Sequence, residues 1–334
     1  MFDTAFDTAQ VADLGIPTLP AVLDPMELGK HLELFSLPPW EWGRVRNVGI
    51  RVLKSHRGSR CTVEIALRTA NGTHTLIGKV YVSGGWDVYQ AMKRIGGAGF
   101  GPEAEFSIPE PLAFLPELQL LVQERVQGHL ASEFFLTGDE RDWKLAAERC
   151  ARWLSRFHAI APKTGPVFDL NNHLTDLARW SRRLAELGEP MAGKAAQLFH
   201  RLELAAPALA PINTCAGHGS YCHTQIILAN GRTATFDWDG HDVADPSRDV
   251  ARFIVALKRL ALSRLGSIRA LDAAAEVFLK TYVALGRPEV ESNLPFYEAA
   301  ICIKLAKYEI SKRPFHWRKT IVEEMLDEGL HRLG

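Results

Sequence analysis

A polar segment in the middle of the chain carries the residues whose types and spacing could do chemistry. It runs from His218 to Asp249 and reads HGSYCHTQIILANGRTATFDWDGHDVADPSRD. A His-Gly turn opens it, Gln225 follows, and an apolar, strand-like stretch leads to Asp237-Trp238-Asp239. In a phosphoryl-transfer site one loop positions the accepting hydroxyl and a second, acidic loop holds a metal ion. The segment has this layout, so phosphoryl transfer is the chemistry that it predicts.

Two side chains of this segment have the oxygen atoms that a divalent cation needs. Asp237, at the end of a predicted strand, offers a carboxylate, which is the hard ligand that Mg²⁺ prefers. Gln225 offers an amide oxygen as a second ligand, although its side chain is longer by one methylene than that of Asn. The alternatives are an acid that caps a turn at Asp237 and a polar turn residue at Gln225. The pattern favours a metal site at these two positions.

These motifs resemble those of the aminoglycoside phosphotransferase family of the protein-kinase-like fold, which also includes choline, homoserine and fructosamine kinases. The resemblance covers roughly residues 48–315 and is most specific at residues 218–249. The family motif His-Gly-Asp, with Asn five residues later, corresponds here to His218-Gly219-Ser220 and Gln225. The family's Ile-Asp-Trp corresponds to Phe236-Asp237-Trp238. Its Gly-Asp-Pro and the buried Asp that follows correspond to Ala244-Asp245-Pro246 and Asp249.

The resemblance implies an activity as well as a fold. We expect an ATP-dependent phosphotransferase that acts on the hydroxyl of a small molecule and uses ATP and Mg²⁺, with the site between two lobes. It further implies that His218 orients the catalytic loop by hydrogen bonding and that Asp249 holds this loop from beneath. No pattern in the sequence identifies the acceptor or the oligomeric state.

Ser220 departs from the family, because it stands where the catalytic Asp is expected. A neutral serine does not act as a base at about pH 7. Phosphoryl transfer depends mostly on positioning and charge neutralisation, so loss of the base should slow the reaction rather than abolish it. Asp239, His223 and His241 are near enough in sequence to substitute, although each is predicted to be a solvated loop residue.

Three hypotheses about function follow: a slow phosphotransferase, a catalytically inactive kinase-like protein that binds nucleotide or a partner, and a helical scaffold that does not bind nucleotide.

The first part of the chain carries the predicted nucleotide contacts. Lys79 lies among apolar neighbours of a predicted inner strand, and a buried ammonium is costly unless it is paired, so we expect it to face phosphates. A lysine at a sheet edge is the alternative. On the next helix, Gln90 occupies the position of this lysine's usual Glu partner. The remaining candidates lie in a polar loop and in the segment between the lobes, and they are Arg57, Gly58, Glu124 and Val126.

The spacing of apolar residues changes near residue 129, from an alternating pattern to a helical one. The predicted strands are Val48–Leu53, Thr62–Leu67, Thr75–Val82, Leu112–Leu115 and Leu118–Glu124, with a helix at Asp87–Ile95. The predicted later helices are Arg141–Ala159, Thr175–Leu187, Met191–Leu204, Ser247–Leu265, Ser267–Leu285 and Phe296–Ser311. This order predicts an α+β, bilobal protein-kinase-like fold with a small antiparallel-sheet N-lobe and a larger helical C-lobe. We expect an N-terminal extension at 1–45, a nucleotide-binding N-lobe at 46–127, and a C-lobe at 128–334 that carries the catalytic and metal-binding loops.

Composition excludes several classes of protein. The 334 residues have equal numbers of acidic and basic side chains, so no global basic field argues for nucleic acid or an anionic membrane as a partner. No apolar run approaches the roughly 20 residues of a membrane helix. The start lacks a signal pattern, and the five cysteines are widely spaced without a CxxC pair, which favours reduced thiols in the cytoplasm. The aromatic cluster at 315–317 is predicted to serve packing.

Overall fold

The computed structural model describes residues 15–310 and 318–334. The first 14 residues of the predicted N-terminal extension and the aromatic cluster at 315–317 therefore lie outside the described residues. The chain divides after Gln127 into two compact units. No helix in the described part of the chain is long and apolar enough to cross a membrane.

The first unit is built on a five-stranded antiparallel sheet in the order β1-β2-β3-β6-β5. Its strands are β1 (Val45–His56), β2 (Arg60–Thr69), β3 (Thr73–Tyr81), β5 (Pro111–Leu115) and β6 (Leu120–Glu124), with a short β4 (Phe106–Ser107) between. Side chains of a strand alternate between its two faces, and in β2 the alternate residues Cys61, Val63, Ile65 and Leu67 are fully buried. This alternation explains why the strands could be predicted from the sequence.

In the described part of the first unit, from residue 15 onward, three α-helices accompany the sheet: α1 (Leu19–Leu23), α2 (Pro25–Leu32) and α3 (Gly85–Ile95). Buried residues of α1 and α2, among them Leu19 and Leu28, belong to the same hydrophobic cluster as Val63 and Ile65 of β2. The described part of the predicted N-terminal extension therefore shares a core with the sheet.

The second unit is mainly helical. Its helices are α4 (Ala131–Thr137), α5 (Glu140–Ile160), α6 (Leu170–Ala185), α7 (Met191–Ala205), α8 (Ser247–Leu265), α9 (Asp272–Ala284), α10 (Val290–Ile310) and α11 (Lys319–Arg332). The strand-rich first unit and the helix-rich second unit confirm the predicted α+β class.

Some helix boundaries differ from the predicted ones for local reasons. Helix α6 begins before the predicted Thr175 because Asp169 caps it, accepting a hydrogen bond of 2.7 Å from the backbone N–H of Asn172. Helix α10 begins at Val290, before the predicted start at Phe296, and includes Pro295 within it. Helix α11 was not predicted at all.

Three short antiparallel strand pairs position the polar segment of the second unit. Strand β8 (Cys215–Gly217) pairs with β11 (Asp242–Ala244), and β9 (Ile226–Ala229) pairs with β10 (Arg232–Thr235) and with β7 (His129–Leu130). The β9–β10 pair is nested in sequence inside the β8–β11 pair. Nesting brings the loop between β8 and β9, residues 218–225, next to the loop between β10 and β11, residues 236–241.

Candidate active site

Four predicted site residues of the two nested loops form one hydrogen-bonded chain. The Ser220 hydroxyl lies 3.2 Å from Nδ1 of His218. The side-chain amide of Gln225 donates to Ser220 Oγ over 3.1 Å and to Oδ2 of Asp237 over 3.0 Å. The predicted catalytic and metal-binding positions are therefore in direct contact with one another.

The hydrogen bonds of His218 determine the direction of this chain. Its Nε2 lies 3.0 Å from the carbonyl oxygen of Phe236, and because a carbonyl only accepts, Nε2 carries the proton. In the neutral ring Nδ1 is then an acceptor, so the Ser220 hydroxyl donates to it. Ser220 Oγ accepts from Gln225 with one lone pair and keeps a second for another donor.

The amide of Gln225 is oriented with its nitrogen toward Asp237. Its oxygen Oε1 instead accepts a hydrogen bond of 3.3 Å from the Cys222 thiol. An amide nitrogen does not bind Mg²⁺, so a cation fits this pair only after the amide turns and presents Oε1 beside the carboxylate. Within residues 15–310 and 318–334 no group of three or more His, Cys, Asp or Glu side chains could hold a metal. This carboxylate and amide suit a Mg²⁺ ion that takes its other ligands from phosphates and water.

Asp237 has an unusual backbone conformation. Its φ of 73° lies in the left-handed region, which few residues other than glycine adopt and in which Asp and Asn are enriched. The neighbouring backbone is tied to the first loop, because the Phe236 N–H donates to the carbonyl of Gln225 over 2.9 Å. Left-handed backbone at a polar, half-buried position is characteristic of functional sites.

The turn at Gly219 requires glycine. Its φ is 73°, and a Cβ atom placed there would overlap the backbone carbonyl of Gly240 in the second loop. This close approach presses the two loops together. The glycine of the His-Gly pair is therefore required by the backbone conformation and by the close contact between the two loops.

Asp249 anchors the first loop from the start of α8. Its Oδ2 accepts a hydrogen bond of 2.6 Å from the backbone N–H of His218 and lies 3.4 Å from Nε2 of His158, whose Nδ1 lies 2.7 Å from the Tyr282 hydroxyl. Burial raises the pKa of the Asp249 carboxyl, but the hydrogen bond and charge of the His158 ring, with the hydrogen bond from the His218 backbone N–H, outweigh burial and lower the pKa to about 2.

His158 and Tyr282 were missed by the sequence reasoning. They come from α5 and α9, 91 residues before Asp249 and 33 residues after it. The only sequence signal was a polar residue on the apolar face of a helix, which does not by itself name a partner.

Aromatic side chains support the loops from within the second unit. The ring of His218 lies 4.6 Å from that of Trp238, and Tyr221 stacks on Trp153 of α5 at 5.5 Å. The Tyr221 hydroxyl donates to the carbonyl of Cys150 over 2.8 Å. Tyr221 and Trp238 in the two loops thus belong to the buried core, which restricts the conformations available to Ser220 and Asp237.

One of the three candidate substitutes for the missing Asp differs from its prediction. His223 was expected in a solvated loop, but it is buried, and its Nε2 lies 3.2 Å from the carbonyl of Ala256 in α8. Burial lowers its pKa to about 3, which keeps the ring neutral. His241 is half-buried, with Nδ1 2.9 Å from the carbonyl of Trp238, and Asp239 is also half-buried.

Lys79 and Gln90 are the first unit's predicted candidates for the phosphate-facing lysine and its helical partner. Lys79 lies on β3, opposite Thr62 of β2 and Leu121 of β6, with only 6% of its surface exposed. It is therefore on an inner strand, as predicted, and not at an edge. Gln90 is half-buried on α3.

The other nucleotide candidates occupy a turn and a strand end of the first unit. Arg57 and Gly58 are exposed in the turn between β1 and β2, where Gly58 has a φ of 65°. Glu124 ends β6, and its Oε2 accepts a hydrogen bond of 3.1 Å from the backbone N–H of Glu110. Val126 is buried just beyond. Their part in nucleotide binding stays a prediction.

The chain is similar in fold to several solved structures. A choline/ethanolamine kinase family protein from Mesorhizobium loti has a TM-score of 0.59 at 15% identity, over 92% of this chain and 99% of that one. A thermostable mutant of an aminoglycoside phosphotransferase, in a ternary complex with ADP and hygromycin B, has a TM-score of 0.60 at 15% identity, over 90% and 98%. An amicoumacin kinase in complex with AMP-PNP, Ca²⁺ and Ami has a TM-score of 0.61 at 13% identity, over 97% and 96%. These likenesses confirm the protein-kinase-like fold.

No curated protein matches the sequence. The family model of the phosphotransferase enzyme family, however, matches residues 87–288, which is more than half of the chain and includes both loops of the site. The chain therefore belongs to the phosphotransferase enzyme family, as the motifs between His218 and Asp249 predict.

Proposed function

We propose that this protein is an ATP-dependent phosphotransferase that acts on the hydroxyl of a small molecule. The observation that carries the proposal is the contact between Asp237 and Gln225, 3.0 Å apart at the two positions where the family has its metal ligands. Membership of the family supports it, as do the similar structures that hold ADP with hygromycin B, or AMP-PNP with Ca²⁺ and Ami.

In this proposal Asp237 binds Mg²⁺, Gln225 joins it once its amide turns, and Lys79 contacts the phosphates. When bound, Mg²⁺ neutralises negative charge on the transferred phosphoryl group and on the leaving ADP. Arg57, Gly58, Gln90, Glu124 and Val126 are the further nucleotide contacts that we propose. The unpaired, buried state of all five cysteines supports a reducing compartment such as the cytoplasm.

Ser220 and His218 supply a route for the proton that the missing Asp would accept. The acceptor hydroxyl donates to the remaining lone pair of Ser220 Oγ, while the Ser220 hydroxyl already points at Nδ1 of His218 over 3.2 Å. As the acceptor oxygen bonds to the γ-phosphorus and the bond to ADP breaks, the acceptor's proton passes to Ser220 and the serine's own proton passes to His218. The group that takes the acceptor's proton, a serine hydroxyl, is a weaker base than a carboxylate and must pass its own proton on to His218 in the same step, so we expect a slow enzyme.

The orientation of Gln225 favours a second candidate function. Its amide nitrogen satisfies Asp237 without a metal, and its oxygen is engaged by Cys222. Together with the neutral Ser220, this arrangement suits a catalytically inactive kinase-like protein that binds nucleotide or a partner. The two candidates share nucleotide binding and differ in turnover.

Thermal unfolding with ATP, Mg²⁺ and both together tests the part that the candidates share. A ligand that binds only the folded state raises the melting temperature by mass action, so MgATP should raise it more than either component alone. An unchanged melting temperature at saturating MgATP would exclude nucleotide binding. Single-turnover release of ADP in the presence of bound MgATP then separates a slow enzyme from an inactive one.

A further inference from the structure

A cavity of about 390 Å³ lies within the second unit beside the loop that carries Ser220. Gly219 and Asp242 form part of its wall, and the segment 166–169 and faces of α6, α8 and α10 form the rest. On α8 and α10 its lining includes three basic side chains, Arg248, Arg252 and Lys304. A cavity of this size next to the proposed catalytic loop is suited to a small acceptor.

The first of these cations has its charge balanced within the protein. Arg248 forms an ion pair with Asp242, and its guanidinium lies 3.7 Å from the ring centroid of Phe168. A bound molecule is not needed to satisfy it.

The other two cations lack such partners. Arg252 has two buried guanidinium nitrogens, Nε and Nη1, that make no hydrogen bond with any residue that the structure describes. Lys304 lies on α10, in the lining of the same cavity, and is half-buried. It likewise forms no hydrogen bond or ion pair with residues 15–310 or 318–334. Buried charged donors without partners are costly, and each one in a folded protein calls for an explanation.

The charged groups near Lys304 repel its ammonium more than they attract it. Burial lowers the pKa of its ammonium to about 8, and repulsion from Arg252 and Arg248 lowers it further than attraction to Asp242 and Asp249 raises it. An anion bound here would reverse this imbalance.

Each acidic side chain of the cavity lining has a partner on at least one of its oxygens. Asp249 is held by His218 and His158, and Asp242 by Arg248. At the other side, Asp169 caps α6, and Asp176 pairs with Arg179 over 2.6 Å. Within the part of the chain that the structure describes, each of these carboxylates thus has a partner on one oxygen, although Oδ1 of Asp242 and Oδ1 of Asp249 are buried without a hydrogen bond, whereas Arg252 Nε and Nη1 and the Lys304 ammonium have no such partner.

We propose that this cavity holds the phosphoryl acceptor through an anionic group of that acceptor, a carboxylate or a phosphate monoester, bound by Arg252 and Lys304. The acceptor is then an anionic hydroxy compound, whose hydroxyl reaches Ser220 past Gly219 while its charge rests between α8 and α10. This inference rests on the proposed phosphotransferase function. Choline-like and polyamine acceptors would place an ammonium against two cations and are disfavoured.

Binding without nucleotide tests this inference separately from the proposed function. The probes are D-glycerate and glycerol 3-phosphate, which carry a hydroxyl with a carboxylate or a phosphate, glycerol as the neutral analogue, and choline as the cationic one. Acetate and inorganic phosphate test the charged groups alone. Dissociation constants are measured by titration calorimetry and checked by thermal unfolding, on the full chain, with MgATP binding recorded in parallel.

We expect the anionic probes to bind and glycerol and choline not to bind. Lys304→Met and Arg252→Met should each weaken anion binding by about tenfold or more, since each removes a charge-assisted contact. Lys307→Met, on the same helix but outside the cavity lining, is the matched control and should not weaken it. Because Lys304→Met deletes a buried charge that lacks a partner, this variant should melt no lower than the parent without ligand. Binding of phosphates alone, or of carboxylates alone, identifies which anionic group is recognised.

The inference is overturned if no anionic probe binds, if glycerol or choline binds as tightly as its anionic analogues, or if both cavity variants keep the parent's affinity. MgATP binding with no anion binding would overturn the inference and leave the proposed function standing. Anion binding without MgATP binding would show that the cavity binds anions and would overturn the proposed phosphotransferase function.

Discussion

The side-chain amide of Gln225 donates a hydrogen bond of 3.0 Å to the carboxylate of Asp237, and the same nitrogen reaches Ser220 at 3.1 Å. Compared with Asn, the extra methylene of Gln lets one amide contact both side chains. The two predicted metal ligands thereby satisfy each other in the absence of a cation. A cation that binds Asp237 has to displace the amide nitrogen of Gln225 from the carboxylate. The affinity for Mg²⁺ therefore reports directly on whether this pair can act as a metal site.

Asp237→Asn should weaken Mg²⁺-dependent nucleotide binding by about tenfold or more, because it removes the charge that holds the cation while keeping the shape. Asn tolerates the left-handed backbone of this position, so the melting temperature should stay close to that of the parent. Calorimetric titration with ATP, with and without Mg²⁺, measures the effect. Asp239→Asn, two residues away, is the matched control, and equal MgATP affinity in parent and Asp237→Asn would assign Asp237 a structural role.

Ser220→Ala and Ser220→Asp should change the rate in opposite directions. The first removes the proton route to His218 and should slow phosphoryl transfer on the order of 10²-fold, whereas the second restores a carboxylate and should speed it. Release of ADP, including hydrolysis to water, is the measurement. An unaltered rate in Ser220→Ala would exclude the relay, and undetectable turnover in a folded, ATP-binding Ser220→Asp variant would favour the inactive protein.

Lys79→Met should weaken ATP binding by a similar factor whether or not Mg²⁺ is present, because the lysine is proposed to contact phosphates directly. This independence of metal distinguishes it from Asp237→Asn. Lys93→Met, an exposed lysine of α3, provides the control. If Lys79→Met affected only the melting temperature and not ATP affinity, the lysine would be a structural residue of β3.

Gly219→Ala should destabilise the protein much more than Gly231→Ala. Both glycines have a positive φ, 73° and 70°, so alanine strains the backbone by about 1 kcal/mol at either position. Only at Gly219 would the new Cβ also overlap a backbone carbonyl, that of Gly240, which should cost about 1–3 kcal/mol more. Urea unfolding of the two variants tests the difference, and equal losses would contradict the close contact between the loops.

The Asp249 carboxyl should make stability depend on pH in acid. Its pKa falls from an ordinary 3.8 to about 2 on folding, so the folded state favours the charged form. The contribution, about 2 kcal/mol, is fully present above the ordinary pKa and is lost as the pH falls through the folded value.

Urea unfolding of the parent and of Asp249→Asn at several pH values measures this contribution. The difference in unfolding free energy between the two should narrow by about 1 kcal/mol from ~pH 6 to ~pH 3. A difference that stays constant over that range would show that Asp249 has an ordinary pKa in the folded protein.

The sequence by itself was sufficient for the fold class, the family and the positions of the two loops. Alternating burial in β2 and helical spacing in the later segments are local patterns, visible within about ten to twenty residues. The HGSYCHTQ and FDWDG stretches are also local, so their order and spacing could be compared directly with a known motif.

Only the tertiary structure decided which residues complete the site. His158 meets Asp249 across 91 positions of sequence, and Arg252 and Lys304 line one cavity from different helices. The left-handed backbone of Asp237 and the orientation of the Gln225 amide depend on the nested β8–β11 and β9–β10 pairs. Such contacts depend on how distant segments pack and on which side-chain rotamers remain free of clashes, and neither is encoded in the spacing of residues along the chain.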